Sequence, residues 1–507
     1  MLTKKTITVP MNRVEGDLEI RVEIQDGYVT DAWCMGTMFR GIETILQGRG
    51  ALDGLVLTPR ICGICGTSHL TSSVKALEHI LGLKPLENAI QVRDVALWME
   101  HIQSDIRQCL LMFAVDFASD PYQKSPLYEE AIRRYAPFKG ESVISALKQT
   151  KKVLEAFAIL GGQWPHSAFM VPGGIVSNPG QSDLDQCSLL LNQFEKWYER
   201  QILGCSIDEW SCVKSADDLW RWLEASEAHR QSDLGFFLRF SKKIQLEKLG
   251  KSHDQFLSFG ARKENLNLPA DPFLSRAGVA WGLESEDLDP SKIAEEVSYS
   301  WYRDYDGGKH PFEGETRPYA TGNESQKYSW AKAPRYQNKP VETGPLAEMV
   351  IKQDPLFTSL MAANGASAFI RQLARYVRPA SMLPRVQTTL KNIKPGRRFY
   401  KNSTSIPDGQ GFGLVDAARG ALGHWVKIKN EKIQHYQIIT PTAWNASPRD
   451  ASGTRGPIEE ALVGTPVKDV FNPVECGHIV RSFDPCLVCT VHLVENNRHL
   501  SNLSLRI

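Results

Sequence analysis

"RICGICGTSH" (60–69) and "DPCLVCTVH" (484–492) carry one pattern twice, a Cys-x-x-Cys followed by a histidine, near the two ends of a chain of 507 residues. A Cys-x-x-Cys turn directs two sulfurs at one point, and two such turns can build a four-sulfur site. Thiolates are soft ligands suited to zinc, iron–sulfur clusters and late transition metals. Structural zinc sites usually join pairs about 12–20 residues apart, because they staple small units. Here the two pairs meet only once the whole chain has folded, which suits a cofactor inserted into a nearly finished protein. His69 follows Cys65 by four positions, so on a helix the two share a face. His492 follows Cys489 by three. Imidazoles beside thiolates point to hydrogen bonding of the ligands or to a second metal.

Composition sets the frame for this reading. Apolar residues make up 42% and charged residues 23%, the balance of a soluble globular protein. A net charge of +1 gives no electrostatic reason to expect nucleic acid or an acidic membrane. The N-terminal "MLTKKTITVPMNRVEGDLEI" has no apolar signal region and no twin arginine, and no run of about 18 apolar residues follows anywhere, so a cytoplasmic chain is expected. Contact with the cytoplasmic face of a membrane would come through partners. Ten cysteines are too few for a disulfide scaffold in a chain this long. The six outside the motifs (Cys34, Cys109, Cys187, Cys205, Cys212 and Cys476) form no cluster-binding pattern, and each reads by default as a small buried apolar residue.

Periodicity gives an α+β chain dominated by helices. "LEIRVEI" (18–24) alternates, with Leu18, Ile20, Val22 and Ile24 on one face, and a turn at Asp26-Gly27 leads to a second strand. The spacing predicts helices over 67–82 (stopping near Gly82), 87–118, 141–161, 181–204, 216–228 and 363–377. Strands are expected at 423–429 and 433–441. The reading is of one large unit: an N-terminal β region (1–60), a bundle of long helices (61–300), a long ordered loop (300–345), a mixed α/β region closing the site (346–492) and a C-terminal peptide (493–507).

The residues then match a known family. The chain resembles the large subunit of nickel–iron hydrogenases. Besides the two cysteine motifs, "NRVEGDLEIRVE" (12–23), "FRGIE" (39–43), "GGQWPHSAFMVPGG" (161–174), "HPFEGETRP" (310–318), "ARGALGHW" (418–425), "TPTAWNASPRD" (440–450) and "GPIEEALVGTPV" (456–467) look like family blocks in family order. The likeness spans the chain and implies the family's large-subunit fold.

The resemblance implies a ligand set. Cys62 and Cys486 would be terminal ligands of nickel, and Cys65 and Cys489 would bridge nickel to an iron carrying carbon monoxide and two cyanides. Such a centre cleaves hydrogen heterolytically, with the metal as Lewis acid. Either the Cys486 thiolate or Arg419 would meet the proton first, and Glu15 would pass it outward. On residues alone, Glu15 is a surface strand residue in an ion pair, and Arg419 a salt-bridged arginine at the core edge. Asp484 would hold Arg419, Thr442 would donate to a cyanide, and His69 would hydrogen-bond a bridging sulfur. Ala418 stands where the family usually has proline, in the pocket around the diatomic ligands. Glu43, the Ile438 carbonyl and His492 would bind magnesium, a hard cation suited to oxygen ligands.

The resemblance also implies partners. Electrons must leave the chain, so a small subunit with iron–sulfur clusters is required, and His166 in "WPHSAF" would face it. Nickel- and iron-insertion proteins load the centre, and a maturation endopeptidase removes the tail "LVENNRHLSNLSLRI" (493–507). The expected assembly is a higher oligomer of heterodimers. "RVEGD", "AARGALGHW" and "SFDPCLVCTVH" look closest to the cytoplasmic uptake branch, including cyanobacterial-type uptake and related high-affinity enzymes. Hydrogen-sensing relatives commonly lack the tail, and the related quinone-reducing respiratory subunit lacks these cysteines. The rival from another class is a non-catalytic scaffold whose four cysteines hold zinc.

Overall fold

The computed structural model describes residues 4–260, 276–322, 325–401 and 405–489, the side chain of Cys489 excepted. The expected tail (493–507) and His492 lie outside the described residues. The N-terminal sheet is an antiparallel meander of Lys5–Pro10, Leu18–Gln25 and Tyr28–Gly36. Leu18, Ile20, Val22 and Ile24 are all buried, as the alternation requires. Asp26 (φ 54°) and Gly27 (φ 82°) both adopt positive φ, the backbone that a tight hairpin turn with right-handed twist needs.

The first cysteine motif opens the helix Gly66–Leu81, which stops at Gly82 in the left-handed conformation. No Ser or Thr side chain caps its start. Instead the buried Glu100, from the helix Glu87–Arg107, accepts from the Thr67 N–H (2.7 Å), the Ser68 N–H (3.1 Å) and the Ser68 hydroxyl. The other face of the first helix lies on the strand Gly409–Ala417. A Cβ at Gly413 would sit 1.9 Å from the Ser72 carbonyl, so only glycine permits this approach. The strand belongs to a second antiparallel meander with Gly420–Lys429 and Lys432–Ile439. Helices Glu87–Arg107, Glu141–Gly161, Gln181–Trp197 and Ala368–Asn392 each pack on two of the others and close a four-helix bundle.

The chain is thus helix-dominated with small sheets, as read, with local differences, among them that the helix expected over 181–204 widens over Tyr198–Leu203 and the one over 216–228 is interrupted at Ser226. The helix expected over 87–118 is α-helical only to Arg107, then widens through Gln108–Phe113 and tightens over Ala114–Ala118. In the widened turn Gln108 faces the bundle, where it takes the Gln372 amide (2.9 Å) and donates to the Arg481 carbonyl (2.7 Å). The helix expected over 363–377 begins at Ala368 and runs through Pro379 and Pro384 to Asn392. Proline normally marks a stop, but Arg378, one residue before Pro379, is held by a buried bidentate pair with Asp105 at 2.8 Å. The segment 61–300 is not helical throughout, since Gln255–Ser258, Gly278–Trp281 and Glu284–Glu286 form a sheet. Within 300–345, Ala333–Tyr336 pairs with Ile293–Glu296. Strands of three or four residues are too short for a period to declare itself.

Candidate metal centre

The sulfurs of Cys62, Cys65 and Cys486 all lie within 4.8 Å of one another, and all three residues are buried. Cys62 Sγ and Cys486 Sγ are 3.5 Å apart. Tetrahedral sulfur ligands at a metal–sulfur distance of about 2.3 Å lie about 3.8 Å from one another, so this spacing fits one soft transition ion. Cys489 follows in the turn Leu487–Cys489.

Four local devices bring the two motifs together. Glu15 makes a parallel bridge with Cys486, and its carbonyl takes the Leu487 N–H at 2.6 Å. Gly16 beside it has φ 77°, and a Cβ there would lie 2.7 Å from the Val488 nitrogen. The Thr442 hydroxyl accepts the Cys486 N–H at 2.9 Å, which leaves the hydroxyl proton for another acceptor. Arg40 clasps both motifs: Nη1 donates to the Ile61 carbonyl (2.5 Å) and the Val488 carbonyl (3.2 Å), and Nη2 to the Arg60 carbonyl (3.1 Å).

Arg419 Nε lies 3.1 Å from Asp484 Oδ2. Burial opposes its charge, but Asp484 and the sulfurs of Cys486, Cys65 and Cys62 outweigh it and hold the guanidinium protonated well beyond its ordinary range. Among the described residues Arg419 Nη1 has no hydrogen-bond partner. A buried cation beside three sulfurs with an unused donor is what a bound group carrying its own acceptors requires. The site therefore fits the nickel–iron centre. Glu15 is half-buried, and burial and the Cys62 sulfur push its carboxyl up, against the pull of Arg419.

Behind Arg419 lies a buried charge network absent from the sequence reading. Arg375 Nη1 is 3.8 Å from Asp484 and 3.9 Å from Asp105. Arg378 pairs with Asp105 and with Glu348 (2.6 Å), and donates to the Ala418 carbonyl at 2.7 Å. Ala418 thus touches this network through its backbone. The sequence signal was present: Arg375 and Arg378 are spaced three apart on one face of a long helix.

His69 Nδ1 lies 3.1 Å from His424 Nε2, whose Nδ1 lies 2.9 Å from the Tyr436 hydroxyl, which donates to Ser73. Burial and the neighbouring His69 push His424 well below the ordinary histidine range. His166 Nδ1 lies 2.9 Å from the Pro59 carbonyl, at the entrance to the first motif. Glu43 is buried; Oε1 accepts the Ile438 N–H at 2.8 Å, and Oε2 accepts the Thr316 hydroxyl with Lys332 Nζ 3.8 Å away. Glu295 is also near Lys332 (3.9 Å) and takes the Gln437 amide at 2.8 Å. Burial first, and then Glu43, push Glu295 up to about 7 despite Lys332. Two buried carboxylates thus share one buried lysine.

With this geometry in hand, the chain proves similar to known proteins along nearly its whole length. The family model described as nickel-dependent hydrogenase matches residues 40–120 and 227–492, and the chain belongs to that family. The large subunit of the periplasmic [NiFeSe] hydrogenase of Desulfomicrobium baculatum is 32% identical over 97% of this chain and 96% of its own. The uptake hydrogenase large subunit of Bradyrhizobium diazoefficiens is 28% identical over 99% and 98%. The solved structure of the Ni-Fe-Se hydrogenase from D. vulgaris Hildenborough in the reduced state superimposes with a TM-score of 0.82 at 30% identity, covering 97% of this chain and 100% of that one. The chain is therefore a nickel–iron-type hydrogenase large subunit, with the family's large-subunit fold.

Proposed function

We propose that this chain is the catalytic large subunit of an uptake hydrogenase, which oxidises hydrogen to protons and passes the electrons to an iron–sulfur small subunit. The observation that carries the reading is the convergence of Cys62, Cys65 and Cys486 within 4.8 Å. The uptake direction rests on relatives named uptake hydrogenase large subunits at 27–28% identity. One relative is named for selenium, whereas this sequence has cysteine at all four motif positions, so the proposed centre is sulfur-only.

Cys62, Cys65, Cys486 and Cys489 would hold nickel, with Cys65 and Cys489 shared with iron. When bound, the two metals supply the Lewis acidity that polarises hydrogen for heterolytic cleavage, with carbon monoxide and cyanides on the iron. The chain's own groups handle the rest. Arg419, fixed by Asp484, would present its unused Nη1 donor to the bound group. The Thr442 hydroxyl, anchored on the Cys486 N–H, has its proton free to donate. Glu15, adjoining Cys486 through the backbone, takes the proton on towards solvent. His69 would hydrogen-bond a sulfur shared by the two metals, and Glu43, the Ile438 carbonyl and His492 would hold magnesium. Insertion proteins, a tail-cleaving endopeptidase, an oligomer of heterodimers and a cytoplasmic location complete the proposal; co-purification, mass spectrometry and cell fractionation test them.

The test of the central claim is elemental analysis and infrared spectroscopy of the purified complex. Nickel and iron, with carbon monoxide and cyanide bands and hydrogen-dependent dye reduction, support it. Zinc alone in the four-cysteine site, without those bands, sinks it.

A further inference from the structure

Away from the cysteine motifs, three side chains of different chemistry converge. Cys205 Sγ, a Glu209 carboxylate oxygen and a His229 ring nitrogen all lie within 4.8 Å of one another. We infer that Cys205, Glu209 and His229 form a binding site for a zinc-class divalent ion, separate from the hydrogenase centre. Cys205 and Glu209 fall between the two stretches that the family model matches, 40–120 and 227–492.

Helix turns set the geometry. Glu209, four residues after Cys205, sits in Ile207–Trp210, whose start is capped by Ser206. His229 sits in Glu227–Gln231, capped by Ser226. Trp222, on the helix Ala216–Ala225, orients two of the three groups at once. Its indole N–H donates to Cys205 Sγ at 3.3 Å, and its carbonyl lies 2.6 Å from His229 Nδ1. The indole also stacks on the His229 ring, with centroids 4.6 Å apart and planes 12° from parallel. A histidine that gives its Nδ1–H to a backbone carbonyl has the other nitrogen's lone pair fixed in direction, which is how proteins prepare an imidazole for a metal.

That other nitrogen, Nε2, faces Glu209 Oε1 at 3.2 Å. In a neutral imidazole this sets two acceptors against each other, so a proton or a cation must lie between them. Nitrogen and oxygen ligands on tetrahedral zinc stand about 3.4 Å apart, close to this separation. One sulfur, one nitrogen and one oxygen donor are a borderline set, which selects zinc over magnesium or calcium. Cys205 is half-buried and Glu209 is exposed, so the fourth position opens to water and the ion can enter. On binding, the thiol would release its proton to solvent. Cys205 is therefore not the inert apolar filler that its isolation in the sequence implies.

The test uses the nickel-loaded complex of large and small subunits, equilibrated with zinc chloride in excess magnesium and then gel-filtered. We expect about one zinc per large subunit, falling at least tenfold in Cys205→Ala and in His229→Ala, with nickel, iron and dye reduction unchanged. Cobalt in place of zinc should add a thiolate-to-cobalt band in the near-ultraviolet difference spectrum of the wild-type complex, a readout that needs no variant. Wild-type complex without retained zinc, zinc unchanged in both variants, or cobalt bound without that band would overturn the proposal and leave a protonated His229–Glu209 ion pair.

Discussion

The sulfurs of Cys62 and Cys486 stand 3.5 Å apart across a sequence separation of 424 positions. No short-range rule brings them together. The first helix is held by the bundle through Glu100, and the final turn by Glu15, Thr442 and Arg40. Metal binding is therefore a late consequence of the whole fold.

Replacing either sulfur should separate assembly of the centre from folding. In Cys62→Ala and Cys486→Ala, nickel falls from about one per chain to background and hydrogen-dependent dye reduction disappears, while the metal-free chain loses only about 1 kcal/mol. Elemental analysis and calorimetry read the two effects. Wild-type nickel content in either variant would remove that residue from the centre.

Glu15 holds the site through its backbone, and in the proposed function its carboxyl carries the proton. Glu15→Gln keeps the carbonyl contact with the Leu487 N–H, so nickel and iron stay bound. Hydrogen/deuterium exchange should nevertheless slow by about 100-fold or more, the usual worth of a positioned proton carrier. Exchange at the wild-type rate takes Glu15 off the proton path.

Much of this architecture was legible because its signals are local. Alternation at 18–24 and the Asp26-Gly27 pair gave the first hairpin, and Gly82 gave the helix stop. What escaped depends on long-range contacts. Glu100 caps a helix from more than thirty positions away, and Arg378, in a helix that continues through two prolines, pairs with Asp105 from a different helix. A lone carboxylate such as Glu100 has no sequence mark separating it from a solvated one, and the three-residue spacing of Arg375 and Arg378 marks a shared face without naming its partners. Family likeness supplied the expected roles of Glu15, Arg419 and Glu43; residues alone would have left Glu15 on a surface and Arg419 as a salt-bridged arginine at the core edge.

The helix cap that escaped makes a pH prediction. Burial pushes Glu100 from 4.5 up to about 7, although the Ser68 and Thr67 donors pull it down. A carboxyl raised in the folded state binds its proton more tightly there. Its contribution is fully present below pH 4.5 and is lost as pH rises through about 7. The shift corresponds to about 3 kcal/mol. Glu295, Glu348 and Glu459, raised to about 7 in the same way, add the same sign. Scanning calorimetry of the complex should show melting temperature falling from pH 5 to pH 8, and falling less in Glu100→Gln. Equal slopes would mean that Glu100 is ionised throughout.

Arg40 supplies the most specific test of how the centre is held. Its guanidinium reaches carbonyls of both motifs, Ile61 beside Cys62 and Val488 between Cys486 and Cys489. Lysine offers a compact ammonium rather than a planar fork, so it cannot span both sides with the same geometry. In Arg40→Lys each motif keeps its cysteines and its helix or turn, but the tie between them is broken. We expect nickel to load and then to escape to a chelator about ten times faster, the consequence of losing one charged hydrogen-bond tie of about 1.4 kcal/mol. Turnover per bound nickel should stay near wild type, because Arg40 donates to backbone carbonyls and touches no sulfur through these bonds. Time-resolved metal release with parallel activity assays distinguishes the cases. Wild-type release in Arg40→Ala would show that the Glu15 and Thr442 contacts alone close the site, and a loss of turnover per nickel would place Arg40 in the chemistry rather than in the clasp.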